Sequence, residues 1–199
     1  TLNNLTASGN GAYGAYIDNA TSAMADVALT GAGAFHDNSG TGLYVYSSGA
    51  IAAANLTADR NGGTTFGLGA LLDNTSSLSP KGISLTGVNA FHSNWSGNLQ
   101  VTSKGAITAS NLTASGSDVG TGASLNNAGA AAPQKVTLSG TNTFDDNAGH
   151  GLEIESTGAI TVSSPRASGN GTAGTYHGVY LHNNGGTVPQ TVTLTGWVH

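Results

Sequence analysis

The chain has 199 residues, of which 31 are glycine, none is cysteine and 8% are charged, with a net charge of −5. Its five basic residues (Arg60, Lys81, Lys104, Lys135 and Arg166) are scattered, so no cluster exists to neutralise phosphates, which argues against nucleic-acid binding. No apolar run approaches the roughly 18 residues that span a bilayer as a helix, and the regular spacing of the apolar residues argues against disorder.

In chain order, the first signal is a repeat. Asn4-Leu5-Thr6-Ala7-Ser8 recurs as Asn55-Leu56-Thr57-Ala58-Asp59 and as Asn111-Leu112-Thr113-Ala114-Ser115, with a degenerate copy at Ser164-Pro165-Arg166-Ala167-Ser168. The spacings are 51, 56 and 53 residues, and each period contains two similar halves. The unit is therefore 24–32 residues long, running 27–50, 51–82, 83–106, 107–135, 136–159 and 160–191, with partial units at 1–26 and 192–199. Each unit holds three short alternating segments separated by Gly and Asn corners. That pattern predicts an all-β fold, a right-handed parallel β-helix of about seven coils with three strands each. Residues 75–82 and 128–135 read as insertions at one corner of alternate coils, which stacked strands tolerate. Residues 1–199 read as a single solenoid segment, about 35 Å long at ~4.8 Å per coil. The start at Thr1 and the uncapped terminal coils suggest a processed piece of a longer array or one subunit of an end-to-end stack.

The predicted interior follows from period-two alternation. In the first strand it places Val27/Leu29, Ile51/Ala53, Ile83/Leu85, Ile107/Ala109, Val136/Leu138, Ile160/Val162 and Val192/Leu194 on one face. Each buried Val, Ile or Leu contributes roughly 1.5–3 kcal/mol before entropy. The second strand trades volume between coils: Leu5/Ala7, Leu56/Ala58 and Leu112/Ala114 alternate with Gly33/Phe35, Asn89/Phe91 and Asn142/Phe144. Large over small fills a narrow core without voids. The third strand presents Ala15/Ile17, Leu43/Val45, Ala70/Leu72, Leu99/Val101, Ala123/Leu125, Leu152/Ile154 and Val179/Leu181. Asparagines close the corners: Asn10, Asn38, Asn61, Asn94, Asn147 and Asn170 after the second strand, with Ser117 breaking the series, and Asn19, Asn74, Asn127 and Asn183 after the third. Both sets are expected to form stacked amide ladders in corners that favour left-handed backbone, rather than calcium sites.

Phe35-His36-Asp37-Asn38, Phe91-His92-Ser93-Asn94 and Phe144-Asp145-Asp146-Asn147 are Phe-x-x-Asn motifs. Ser48-Gly49-Ala50-Ile51, Lys104-Gly105-Ala106-Ile107 and Thr157-Gly158-Ala159-Ile160 are similar to Gly-Gly-Ala-Ile motifs. The pairing resembles the repeats of polymorphic outer-membrane proteins and, more broadly, of bacterial parallel β-helix surface proteins. That resemblance implies a β-helical passenger exposed at the cell surface, often adhesive. The expected fold also resembles that of pectate lyases and polygalacturonases, which implies clustered carboxylates with a Lys, Arg or His on one outer face.

The chemistry-bearing candidates are few. Asp145, Asp146, His150, Glu153 and Glu155, with Arg166 on the next coil, form the best local acid/base group, although the equivalent positions in other coils hold His36/Asp37 and His92/Ser93. His36 and His92 lie two coils apart, roughly 10 Å, too far for one metal. Tyr16, Tyr44 and Tyr46 come together on the third strand's outer face, where exposed rings suit a sugar or a protein contact. Ser84/Thr86, Thr108/Ser110, Thr137/Ser139, Thr161/Ser163 and Thr193/Thr195 make a Thr/Ser face that resembles ice-binding solenoids, interrupted by Ala28, Ala52 and Ala54. Seven Asn-x-Ser/Thr sequons, at Asn4, Asn19, Asn55, Asn74, Asn94, Asn111 and Asn170, mark glycan acceptor sites if the host has the machinery. The expectation is thus an extracellular or cell-surface structural or adhesive module, with no cofactor and no metal. Its expected partners are further coils or copies of itself, or a carbohydrate or host-surface ligand. A polysaccharide lyase or hydrolase and an ice- or surface-binding solenoid are the alternatives.

Overall fold

A computed structural model of the chain describes residues 1–21, 25–64, 66–172, 174–183, 188 and 190–196. Among these, the regular structure is entirely β: 22 short strands and no helix, so none is long and apolar enough to cross a membrane. The strands form three parallel sheets, of eight, seven and seven strands. The first sheet stacks Leu2–Asn3, Val27–Thr30, Ile51–Ala54, Ile83–Thr86, Ile107–Ser110, Val136–Ser139, Ile160–Ser163 and Val192–Thr195. The second stacks Thr6–Ser8, Gly33–His36, Leu56–Asp59, Asn89–His92, Leu112–Ser115, Asn142–Thr143 and Pro165–Arg166. The third stacks Ala15–Asn19, Leu43–Ser47, Leu68–Asp73, Gly97–Thr102, Ala123–Asn126, Leu152–Ser156 and Val179–Asn183. Every strand pairs with its counterpart one coil away, which makes a parallel β-solenoid of about seven turns.

Like residues lie over like. Ile107 pairs with Val136, and Val136 with Ile160. These side chains are fully buried, as are the third-sheet residues Val45, Leu72, Val101, Leu125 and Ile154. In the second sheet Phe35 lies over Ala7 and under Ala58, and Phe91 sits between Ala58 and Ala114. The expected alternation of large and small is therefore the packing rule of this column, and Phe35, Phe91 and Phe144 are each 0% exposed. The Phe-x-x-Asn motif now has a physical meaning: Phe fills the core, the next residue points out, the third turns the chain through positive φ, and Asn enters the corner ladder.

The first departure from the expected interior is at the last coil. Val192 and Leu194 pair in register with Ile160 and Val162, yet they are 42% and 53% exposed, because no strand lies beyond them among the described residues. They continue the core column without being interior.

The two sets of corner asparagines also differ. After the second sheet, the backbone N–H and side-chain Nδ2 of Asn10 both donate to Asn38 Oδ1. Asn38 donates in the same way to Asn61, Asn61 to Asn94, and Asn147 to Asn170. Where Ser117 breaks the series, Asn98 reaches in from the third sheet: its Oδ1 accepts from Asn94 N–H and Nδ2, and its own Nδ2 donates to Asn147 Oδ1 at 3.0 Å. The ladder is continuous although its sequence register is not. After the third sheet, no amide ladder forms among the described residues. Asn alternates there with Ser47, Ser103 and Ser156, and Asn19 pairs in register with Ser47 and Asn183 with Ser156. Asn74 donates to the carbonyls of Gly49, Lys81 and Gly82, and Asn127 to those of Gly105, Gln134 and Lys135. Asn therefore serves the coils with a long connection, whereas Ser serves the tight turns, where Ser103 Oγ accepts from Gly105 N–H at 3.0 Å.

Positive φ falls elsewhere than on the ladder residues. Beside the ladder it falls one residue earlier, on Asp37, Arg60, Ser93 and Asp146. Between the first and second sheets it alternates between Asn and Gly: Asn4, Gly31, Asn55, Gly87, Asn111 and Gly140. Gly87 shows why. Its φ is +74°, and a Cβ there would lie 2.1 Å from Asn55 Oδ1, which accepts the Val88 N–H. Gly105 of the Gly-Ala-Ile motif answers to space alone, since its Cβ would meet the Lys81 carbonyl oxygen at 2.4 Å.

Candidate functional site: the outer face of the third sheet

The third sheet turns two columns of side chains outward. One reads Tyr16, Tyr44, Leu71, Gln100, Ser124, Glu153 and Tyr180, and the other Asp18, Tyr46, Asp73, Thr102, Asn126, Glu155 and His182. They arise from the same alternation that buries Leu43, Val45, Leu152 and Ile154.

Rings collect at both ends of this face. At the first end Tyr16 and Tyr44 meet edge to face, with centroids 5.1 Å apart, and Tyr13 completes the group at 5.5 Å from Tyr16 and 5.8 Å from Tyr44. Burial, and then the Asp73 carboxylate, push the Tyr44 phenol above its ordinary value. Tyr46, expected with Tyr16 and Tyr44, stands apart in the second column between Asp18 and Asp73. Period two puts Tyr44 and Tyr46 on the same face but in different columns. Tyr13 was not expected, because it lies in the corner ahead of the strand.

At the other end His150, His177 and Tyr180 stack: His150 is 5.3 Å and His177 5.8 Å from Tyr180, at interplanar angles of 23° and 18°. Tyr176 stands edge-on to His150 at 5.0 Å. His150 Nδ1 accepts the His177 N–H at 2.9 Å, which fixes the ring. In the neighbouring column His182 Nδ1 is 3.9 Å from Glu155 Oε1, and Asn126 Nδ2 donates to Glu155 Oε2 at 2.6 Å. Between the ends lies a shallow groove of about 330 Å³, bordered by Leu68, Gln100, Thr121, Ser124 and Glu153. Gly97 and Gly120 also line it, and a Cβ at Gly120 would collide with the Ser96 backbone.

The acid/base group expected at Asp145, Asp146, His150, Glu153, Glu155 and Arg166 is divided between two faces. Arg166 forms an ion pair with Asp145 beside the second sheet, and Asp145 Oδ1 accepts the Ser168 N–H at 2.9 Å. Asp146 holds the positive-φ corner, whereas Glu153 and Glu155 project from the third sheet with His150 nearby. A corner of the coil separates the two sets. On the second sheet, Asp59 lies between His36 and His92, and His36 Nδ1 faces Asp59 Oδ2 at 3.4 Å. Next to this column Arg60 grips Asp37 with two hydrogen bonds, of 2.7 and 2.9 Å, and holds its carboxyl below the ordinary range. Among the described residues no group of three His, Asp or Glu converges as a metal site.

The Thr/Ser positions of the first sheet align as expected: Ser84 with Thr108, Thr108 with Thr137, Thr137 with Thr161 and Thr161 with Thr193. Ala28 and Ala52 continue the column. Of the sequon asparagines, Asn4, Asn55 and Asn111 lie at the surface. Asn74 and Asn94 are 0% exposed, out of reach of an enzyme acting on the folded chain. Asn19 and Asn170 are half-buried and donate their Nδ2 to the carbonyls of Ala25 and Phe144.

In comparison with known proteins, no family model, no curated protein and no solved structure matches this chain.

Proposed function

We propose that this chain is a non-enzymatic structural or adhesive β-solenoid module of a cell-surface or filament-forming protein, acting outside the cell. The observation that carries this reading is the chemical uniformity of the coils. The same core columns and one amide ladder run through them, and where Ser117 leaves the ladder short, Asn98 restores it. Such a stack, uniform in its core and its ladder, is a stiff spacer that holds its outer faces at a fixed repeat. The Phe-x-x-Asn and Gly-Ala-Ile repeats, similar to those of bacterial surface solenoids, point the same way.

The runner-up, a polysaccharide lyase or hydrolase, requires acid and base on one bond, and of the expected group only Glu153, Glu155 and His150 share a face. The two readings separate in one experiment. The purified chain is incubated with uronate polymers and neutral glucans while unsaturated products and new reducing ends are measured, and the same material is imaged by electron microscopy. The expected result is no turnover, and rods that associate end to end with a repeat of about 4.8 Å. Turnover overturns the proposal, and its loss in Glu153→Gln would assign it to that carboxylate.

A further inference from the structure

The ring clusters at the two ends of the third sheet share one line. Tyr44 and Tyr180 occupy the same outward column five coils apart, about 24 Å at ~4.8 Å per coil. The open groove with Gln100, Ser124 and Glu153 lies between them. We infer that this face is a binding strip for one extended glycan strand of neutral or amino-bearing sugars, laid along the axis from the tyrosine cluster to the histidine–tyrosine cluster.

Three observations carry the assignment. First, exposed rings at both ends offer flat apolar surfaces to the C–H faces of sugar rings: Tyr16 is 53% and Tyr176 47% exposed. Second, beyond Leu71 the stretch between them is polar and uncrowded, with amide, hydroxyl and carboxylate groups that suit sugar hydroxyls. Third, the charge selects among glycans. The two columns carry Asp18, Asp73, Glu153 and Glu155 and no Lys or Arg. A polyuronate or a sulfated chain meets like charge there. A neutral strand does not, and an amino sugar finds carboxylates and ring faces for its ammonium group. Contacts at two separated ends also predict dependence on length, because the second contact becomes intramolecular only when the strand spans the gap.

This inference rests on the non-enzymatic reading above, and the test keeps the two apart. Calorimetry measures binding of the intact chain to β-1,4-linked glucosamine hexamer, its N-acetylated counterpart, a galacturonate hexamer, the corresponding dimers and an oligolysine. The glucosamine or N-acetylated hexamer is expected to bind, the dimers to bind at least about tenfold more weakly, and the galacturonate hexamer not to bind. Tyr44→Ala and Tyr180→Ala are each expected to lose about tenfold in affinity. Tyr44→Phe retains binding because the stacking face remains, and Thr137→Ala on the first sheet changes nothing. Circular dichroism checks that each variant is folded. Binding of neither hexamer, binding untouched by both alanine variants, or a preference for oligolysine overturns the strip. Absence of binding without turnover leaves the structural module standing, whereas turnover removes both.

Discussion

Asn98 and Ser117 trade places with residues used in the neighbouring coils, and exchanging them tests the ladder directly. In the usual arrangement a glycine precedes the inward residue of the third-sheet strand, because a Cβ at Gly42 or Gly69 would lie 2.7 Å from Nδ2 of Asn61 or Asn94. Ser117 is shorter than the usual ladder residue, and the space it leaves takes the Asn98 amide. Asn98→Gly removes three hydrogen bonds and leaves the buried Asn94 N–H without its acceptor. At about 1 kcal/mol for each of the other two bonds and about 1–3 kcal/mol for the orphaned donor, the cost is roughly 3–5 kcal/mol. Ser117→Asn alone forces two amides into one space and costs about 1–3 kcal/mol. The double variant rebuilds the arrangement of the other coils. It should lie within about 1 kcal/mol of the parent, most of that being the added backbone freedom of glycine. The coupling between the two positions is therefore about 3 kcal/mol or more. Urea unfolding followed by circular dichroism measures the totals, and hydrogen exchange at the Asn94 amide reads the effect locally. A double variant as unstable as the two single changes added together refutes the exchange of roles.

Other substitutions follow from the same geometry. Gly87→Ala sets a Cβ 2.1 Å from Asn55 Oδ1 at φ +74° and should destabilise by more than 1 kcal/mol, roughly, whereas Gly129→Ala meets nothing within 4 Å and should be neutral to slightly stabilising in a thermal melt. Phe91→Ala empties a fully buried site between Ala58 and Ala114, which cannot fill it, so a loss of about 3–5 kcal/mol is expected in denaturant unfolding. Arg60→Ala should return the Asp37 titration, followed by NMR, upward toward the ordinary carboxylate range. Because the folded Asp37 is more acidic than the unfolded one, its pairing contributes stability above the unfolded value and loses it as pH falls through the folded value. The variant should lack that acid-dependent component, and an unshifted Asp37 would refute the assignment of its cause.

Much of this molecule is legible in its chain. Period-two alternation decides which residues of Ile107–Ser110 or Leu152–Ser156 point inward, because successive side chains of a strand leave opposite faces whatever surrounds them. The Leu/Ala and Gly/Phe alternation likewise foretells which coils stack, since volume must be conserved along a column. These are properties of neighbours in sequence and of a fixed repeat length. What lies at corners obeys no such rule. Asn98 joins a ladder that belongs to another strand, Tyr176 and His177 reach His150 from a loop one coil away, and Asp145 faces away from Glu153 although eight residues separate them. The chain turns at each corner by an amount set by its positive-φ residues and connection length. Which side chains meet across that turn is decided only when the coils have stacked and fixed the angle between the sheets.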